Sequence, residues 1–381
     1  MKKSFRKDDV VAQVLRAAGN PEELDKILQS ECRRKASKKL ATTLLCKEFR
    51  FPTAISAEQC TSDELAEFHS TLIGLNATVL DLTCGLAIDA FHFAKVAKHV
   101  TCIDINPLVY DAVVHNSQAL GLTNISAECC DCVQWLKDNI NSHYDVAFID
   151  PARRSEDGGR IFSMEQCQPN VIEMLSDIFN ITDKLIIKAS PMLDITKAIN
   201  DLKHVLTVHV IGTKSECKEL LFELNKNYTG PISIIADTVG QCSVNLTPQG
   251  LNLISETYVN EICENDIIAE PWPAVMKCMP RGLLSGNQLH PSTFLWHNPT
   301  TEFPGTLYRV TRIEKFSSSH IRKLQKEKVE ASVAVRNFPI TASQLKEKLK
   351  SKESSTCRLM GTMIFPSEYI LLFLEPIIEK N

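Results

Sequence analysis

The sequence predicts an α/β fold in which an open parallel sheet is flanked by helices. Apolar segments of strand length alternate with helical segments, as in proteins built from repeated strand-helix units. The stretch VLDLTCGLAIDAFHFA, residues 79–94, passes from a strand through a glycine turn into a helix. Three later apolar runs end in an acidic residue just before a turn or a helix start. Together these observations indicate a Rossmann-like sheet with a ligand site at the carboxyl ends of its strands.

The glycine turn at residues 83–87 indicates which ligands fit. The preceding strand is predicted at 79–81 and the following helix at 88–96, so the first N–H groups of that helix point at the ligand. A P-loop is disfavoured because Gly-Lys-Ser/Thr is missing, and a dinucleotide site is disfavoured because only Gly85 is present. Asp81 repels an anionic ligand but suits an ammonium group, as in S-adenosylmethionine. An ordinary strand-helix junction remains the alternative.

Acidic residues also follow the next three predicted strands. Asp104 comes about 20 residues after the turn, where a Rossmann-type sheet binds ribose hydroxyls. Asp131 either accepts a hydrogen bond from an adenine amino group or caps the next helix. Asp150 ends the run YDVAFID. Because parallel strands end at one edge of the sheet, we expect these acids and Asp81 to share one crevice.

Residues 60–240 resemble the class I S-adenosylmethionine-dependent methyltransferases. Four segments carry the resemblance: motif I at 79–87, the ribose-binding acid at 102–104, the adenine-side acid at 128–131 and the catalytic-loop motif Asp-Pro-Ala-Arg at 150–153. The resemblance implies S-adenosylmethionine as cofactor, and it implies cofactor-binding roles for a set of nine residues. These are Asp81, Thr83, Gly85, Ala87, Asp89, Asp104, Ile105, Asp131 and Cys132.

The resemblance also implies a catalytic loop made of Asp150, Pro151 and Arg153. Amino-group methylating enzymes usually have a second proline and an aromatic residue where this chain has Ala152 and Arg153. The target atom is therefore left open, while Arg153 could bind a phosphate or stack on a base. Methyl transfer from a sulfonium needs alignment of the reactants more than acid-base catalysis.

The flanking segments resemble a narrower bacterial group of these methyltransferases. FPTAISAEQCTSDELAEFH and VAVRNFPITASQLKEKLK resemble a helical amino-terminal extension and a THUMP-like domain. The expected domains are a helical extension at 1–75, the methyltransferase domain at 76–260, a small ferredoxin-like α+β segment at 261–310 and the THUMP-like domain at 311–381. True THUMP domains bind RNA, so the resemblance implies a tRNA or rRNA substrate.

Composition limits the class of protein. The chain has 381 residues and 44% hydrophobic content, which is enough for two or three domains. It has no apolar run of membrane-spanning length and no signal-peptide pattern at its start, and its 14 cysteines suit reduced thiols, so we expect a cytoplasmic protein. Cys129 and Cys132 have zinc-like spacing, but no second pair follows, and we expect no metal site.

The formal net charge of −4 is unevenly distributed. Residues 1–50 contain 13 Lys and Arg against 7 Asp and Glu, and residues 309–352 contain 12 against 4. Basic ends around an acidic middle suit a polyanion held away from the cofactor, although solvated helix faces give the same pattern. The sequence thus favours a methyltransferase acting on RNA. The alternatives are a methyltransferase of a protein or small molecule and a non-catalytic module that binds S-adenosylmethionine or RNA.

Overall fold

The computed structural model describes residues 19–153, 164–238, 242–245, 258–278, 287–299 and 303–377. The chain divides into two compact units, the first made of residues 1–208 and 220–231 and the second of residues 209–219 and 232–381. The predicted division into four domains remains a prediction.

The first unit contains the predicted strand-helix repeats. Its helices are α1 (Pro21–Ala36), α2 (Ala54–Gln59), α3 (Asp63–Ser70), α4 (Ile88–Phe93), α5 (Pro107–Ala119), α6 (Cys132–Asp138), α7 (Val171–Ile181) and α8 (Ile195–Leu202). Its strands are β1 (Thr78–Asp81), β2 (His99–Asp104), β3 (Ile125–Cys129), β4 (Val146–Ile149), β5 (Ala152–Arg153), β6 (Cys167–Gln168) and β7 (Lys184–Ala189), followed by β8 (Val205–Gly212) and β9 (Cys217–Asn225), which both cross the division between the units.

The main sheet has the strand order β3-β2-β1-β4-β7-β9-β8 across these strands. Neighbouring strands from β3 to β7 are parallel, whereas β9 is antiparallel to β7. Asp81 at the end of β1 is in register with Cys102 on β2 and Phe148 on β4, so these three strands end close together. The predicted α/β fold with a parallel sheet is confirmed. The segment CKELLFELN, which the sequence leaves ambiguous between helix and strand, forms β9.

Local sequence explains where helices of this unit begin. The side chain of Asn106 accepts a hydrogen bond from the Leu108 N–H at 3.0 Å, and Pro107 occupies the first turn of α5, where its missing N–H costs nothing. Ser62 caps α3 by accepting from the Leu65 N–H at 3.3 Å. These caps place the helix starts within a few residues of the strand ends that carry the predicted site.

The second unit contains a seven-stranded sheet with the order β13-β14-β12-β15-β18-β17-β16. Its strands are β10 (Ser233–Thr238), β11 (Cys242–Asn245), β12 (Ile267–Pro271), β13 (Asn287–His290), β14 (Thr293–His297), β15 (Gly305–Lys315), β16 (Ser332–Arg336), β17 (Arg358–Ile364) and β18 (Glu368–Pro376). Its helices are α9 (Pro273–Cys278), α10 (Ser318–Glu327) and α11 (Ala342–Leu349). Trp296 and Tyr308 are buried in this unit, as expected for core residues.

The end of the second unit follows its sequence pattern closely. Thr341 and Gln344 form a capping box at the start of α11. The run EYILLFLEP forms β18, which pairs with both β15 and β17 through an apolar face buried in the core of this sheet. None of the helices in the described ranges is long and apolar enough to cross a membrane.

Candidate active site

The turn after β1 adopts the sharp conformation that the glycine pattern predicts. Gly85 has φ 51° and Ala87 has φ 60°, both in the left-handed region. The Ala87 N–H donates to the Cys84 carbonyl at 2.7 Å, which closes the turn just before α4 begins. A left-handed alanine costs about 1 to 2 kcal/mol, which explains why a glycine is common at such a position. Ala87 thus takes the backbone conformation expected of the last glycine of motif I.

Asp104 joins the turn to the ends of the next two strands. Its Oδ2 accepts from the Gly85 N–H at 3.1 Å, and its Oδ1 accepts from the Asn106 N–H at 2.8 Å. Its carbonyl accepts from the Cys130 N–H at 3.1 Å, so the segment after β3 lies beside it. Burial raises the pKa of the Asp104 carboxyl, and the two backbone hydrogen bonds oppose that shift.

Asp81 lies at the floor of the same crevice. It is 1% exposed, and its Oδ1 accepts from the Thr83 N–H at 3.2 Å. Burial holds the pKa of the Asp81 carboxyl well above its ordinary value, and the charges of Asp89 and Asp150 raise it further, while Lys188 lowers it. An added cation beside Asp81 would therefore favour its ionised form.

Asp150 follows β4 and is tied to the chain at two points. Its N–H donates to Thr83 Oγ1 at 2.8 Å, which fixes the start of the 150–153 loop against the motif I turn. Its Oδ2 lies 2.7 Å from Lys188 Nζ, and 41% of its side chain is exposed. Pro151 is buried, and the side chain of Arg153 lies outside the described residues.

A buried network connects α3 and α4 to Asp150. Asp89 Oδ2 accepts from Thr61 Oγ1 at 2.5 Å, and Asp89 Oδ1 lies 2.7 Å from His69 Nδ1. Lys188 Nζ donates to Thr61 Oγ1 at 2.8 Å and lies 3.8 Å from Asp89 Oδ2. Although burial raises the pKa of the Asp89 carboxyl, Lys188 and His69 lower it well below its ordinary value. Asp89, predicted to bind the cofactor, contacts this interior network, and its direct contact with the cofactor remains a prediction.

The remaining predicted cofactor residues lie around the ends of β2 and β3. The Asp131 carboxylate accepts from the Val133 N–H at 2.8 Å and caps α6, which is the alternative role considered for it. Its contact with adenine remains a prediction. Cys132 is buried, and burial raises the pKa of its thiol to about 12. Ile105 is 69% exposed beside the crevice. In the described ranges, no group of three or more His, Cys, Asp or Glu side chains could hold a metal ion.

Sequence reasoning missed two members of the network and misjudged a third. Lys188 and His69 were not predicted, and Thr61 is 7% exposed, not the solvated capping residue that its place before a helix suggests. The signal for Lys188 is its position: a lysine at the carboxyl end of the apolar strand β7, beside the strand that carries Asp150. A buried ammonium needs a carboxylate partner, which points to the adjacent strand end.

Comparisons with known proteins agree with this architecture. Residues 76–238 match the family described as RNA cap guanine-N2 methyltransferase, and residues 305–376 match the family described as THUMP domain-like. No curated protein matches the chain. A provisionally assigned methyltransferase from Porphyromonas gingivalis W83 has a similar structure, with TM-score 0.84, 24% identity, and coverage of 98% of this chain and 100% of that one. An rRNA methylase from Streptococcus thermophilus matches with TM-score 0.32 and 15% identity, over 42% of this chain and 94% of that one.

The strand order, the turn after β1 and the first family match define the class: this is a class I methyltransferase, which uses S-adenosylmethionine. The second match places the chain more narrowly. It belongs to the class I methyltransferases that carry a THUMP-like domain toward the carboxyl terminus. The resemblance noted in the sequence is confirmed.

Proposed function

We propose that the protein transfers a methyl group from S-adenosylmethionine to RNA. One observation carries the proposal: acidic residues end four neighbouring strands of the parallel sheet, and backbone hydrogen bonds join these strand ends to the motif I turn. Ligands of open α/β sheets bind outside the carboxyl ends of the strands. The edge that carries these acids is therefore the expected cofactor site.

The donors and acceptors at this edge fit the cofactor. An ionised carboxylate offers about four acceptor positions, and two of those on Asp104 are taken by backbone N–H groups, so it retains capacity for ribose hydroxyls. Asp81, Asp89 and Asp150 surround Lys188 with more negative than positive charge. A ligand with an ammonium and a sulfonium group offsets that excess, whereas a pyrophosphate increases the repulsion.

Asp150 is the residue that we propose meets the target group. S-adenosylmethionine supplies an activated methyl group on a sulfonium centre. Lys188 occupies Oδ2 of Asp150, so Oδ1 is the oxygen that can accept a hydrogen bond from the N–H or O–H of a nucleophile. The side chain is partly exposed and can therefore reach a substrate. A fixed acceptor aligns the nucleophile without strong base catalysis.

The second unit supplies a surface suited to a polyanion. Exposed cations lie on or just after α10 and α11, and the Gln325 side chain on α10 donates to the Lys348 carbonyl on α11. These cations are Arg322, Lys326, Lys328, Lys348 and Lys350. Lysine and arginine clusters bind phosphates through release of counterions. The family descriptions of both matches support RNA as the substrate class, and the composition supports a cytoplasmic location.

The test is methyl transfer to RNA from cells that lack the protein. Labelled S-adenosylmethionine and total RNA from such cells are incubated with the enzyme, and label is followed in size-fractionated RNA. We expect label in one RNA class that ribonuclease removes. Label only in protein or in small molecules would replace RNA by that substrate class, and cofactor binding without any transfer would indicate a binding module.

A further inference from the structure

Lys188 has an unusual position for a lysine. It is 9% exposed and lies near the carboxyl end of β7, next to β4, whose end leads into Asp150. A buried ammonium is costly unless carboxylates and hydrogen-bond acceptors surround it. Here it has the Asp150 carboxylate at 2.7 Å and the Thr61 hydroxyl at 2.8 Å. These contacts fix where its charge lies.

The partner of Lys188 on the other side comes from the helical segment before the sheet. Thr61 precedes α3 and donates to Asp89 at 2.5 Å, while His69 on α3 lies 2.7 Å from the same carboxylate. Asp63 strengthens this segment because it accepts from the Thr42 N–H at 2.7 Å and the Thr43 N–H at 3.0 Å. A continuous chain of polar contacts therefore leads from the helical segment through Lys188 to Asp150.

We propose that Lys188 is a positioning residue for Asp150 and that the helical segment around Thr61 and His69 holds it in place. This inference rests on the proposed methyl transfer. Lys188 binds one carboxylate oxygen and so directs the other toward the substrate. The helical segment thereby completes the active site, in addition to any role in stability.

The first test compares two lysines of one strand. Lys188→Met removes the ammonium from the carboxyl end of β7, while Lys184→Met removes an ammonium from its amino end, where Lys184 pairs with Glu223 at 2.8 Å. We expect the transfer rate at saturating S-adenosylmethionine and total RNA to fall at least about tenfold for Lys188→Met, because a displaced catalytic group costs up to about a hundredfold. Lys184→Met should keep the rate within about twofold of wild type, and S-adenosylhomocysteine affinity by calorimetry should stay within about threefold in both.

Thr61→Val extends the test to the helical segment. It removes the hydroxyl that contacts Lys188 but keeps the shape of the side chain. We expect a smaller fall in rate, of about threefold or more, without loss of S-adenosylhomocysteine affinity. A full rate in both Lys188→Met and Thr61→Val would overturn the inference.

A second readout is independent of transfer. Thermal unfolding is measured for wild type, Asp150→Asn, Lys188→Met and the double variant. If the pair is coupled, Asp150→Asn lowers the midpoint by about 2 °C or more in wild type and by less than about 1 °C in the Lys188→Met background. Equal effects in both backgrounds would refute the positioning role. If wild type labels no RNA, the proposed function fails, and the unfolding cycle alone decides whether Lys188 holds Asp150.

Discussion

Replacing Asp104 by alanine should weaken cofactor binding more than any other single change at the ends of β1 to β3. The carboxylate is half-buried and already oriented by the Gly85 and Asn106 N–H groups. A hydrogen bond to a charged group contributes about 1.5 to 3 kcal/mol when it is lost from a buried site. Since about 1.4 kcal/mol is tenfold in affinity, we expect Asp104→Ala to raise the dissociation constant by about 10- to 100-fold.

The assay is calorimetric titration with S-adenosylhomocysteine at pH 7.5, with Asp145→Ala as the matched control. Asp145 also accepts hydrogen bonds from the neighbouring strand, from the Thr78 N–H and hydroxyl at 2.7 Å each, but it precedes β4 at the opposite edge of the sheet. Unchanged affinity in a folded Asp104→Ala protein, or an equal loss in Asp145→Ala, would show that the site has been placed at the wrong edge.

The same carboxylate should give cofactor binding a pH dependence. Burial raises the pKa of Asp104, so its ionised form is lost on acidification at a higher pH than for an ordinary aspartate. Affinity for S-adenosylhomocysteine should therefore be constant at neutral pH and decline as the pH falls toward that raised value. Asp104→Asn should flatten this part of the profile.

Three further predictions concern stability, chemistry and RNA binding. The pKa of Asp63 is lowered to about 2 although burial raises it, since hydrogen bonds from His92 and the 42–43 backbone favour the ionised form, so about 2 kcal/mol of stability is present above pH 4 and is lost as pH falls toward 2. Urea unfolding between pH 7 and 2.5 should show this loss in wild type and a smaller one in Asp63→Asn. Asp150→Ala should lower methyl transfer to RNA by about a hundredfold or more with near-normal cofactor affinity, and an active variant would remove it from the mechanism. Arg322→Glu with Lys326→Glu should weaken RNA retention and lower the slope of log affinity against log salt by about 0.7 to 0.9 per lost phosphate contact, which filter binding at several salt concentrations measures.

The strand ends were predictable because each one combines an apolar run with an acid and a turn or a helix cap. Asn106 and Pro107 mark the start of α5 in the sequence as clearly as they do in the structure. The turn conformation was predictable as well, because the left-handed residues Gly85 and Ala87 stand where the motif needs them. These features depend on neighbours in the sequence, so a single chain suffices to find them.

The Lys188 network could not be predicted in the same way, because its members come from positions far apart in the chain. Thr61 and Lys188 are separated by 127 residues but lie 2.8 Å apart. Thr61 in a helix-start sequence indicates a cap, and only the tertiary structure shows that Ser62 does the capping while Thr61 is buried. Likewise, Asp89 follows the glycine turn as a cofactor residue would, but packing turns it toward His69.

The contacts of Asp150 explain how the 150–153 loop can work without the second proline and the aromatic ring of amino-group methylating enzymes. Those residues stiffen the loop and stack on the target in the motif that this chain resembles. Here the backbone N–H of Asp150 is bound by Thr83, and its carboxylate is bound by Lys188. The first contact ties the loop to the cofactor turn and the second ties it to the helical segment through Thr61. Because both constraints act on Asp150 itself, the substrate must bring its nucleophile to a fixed acceptor, and specificity for the target then depends on how RNA is held outside this loop.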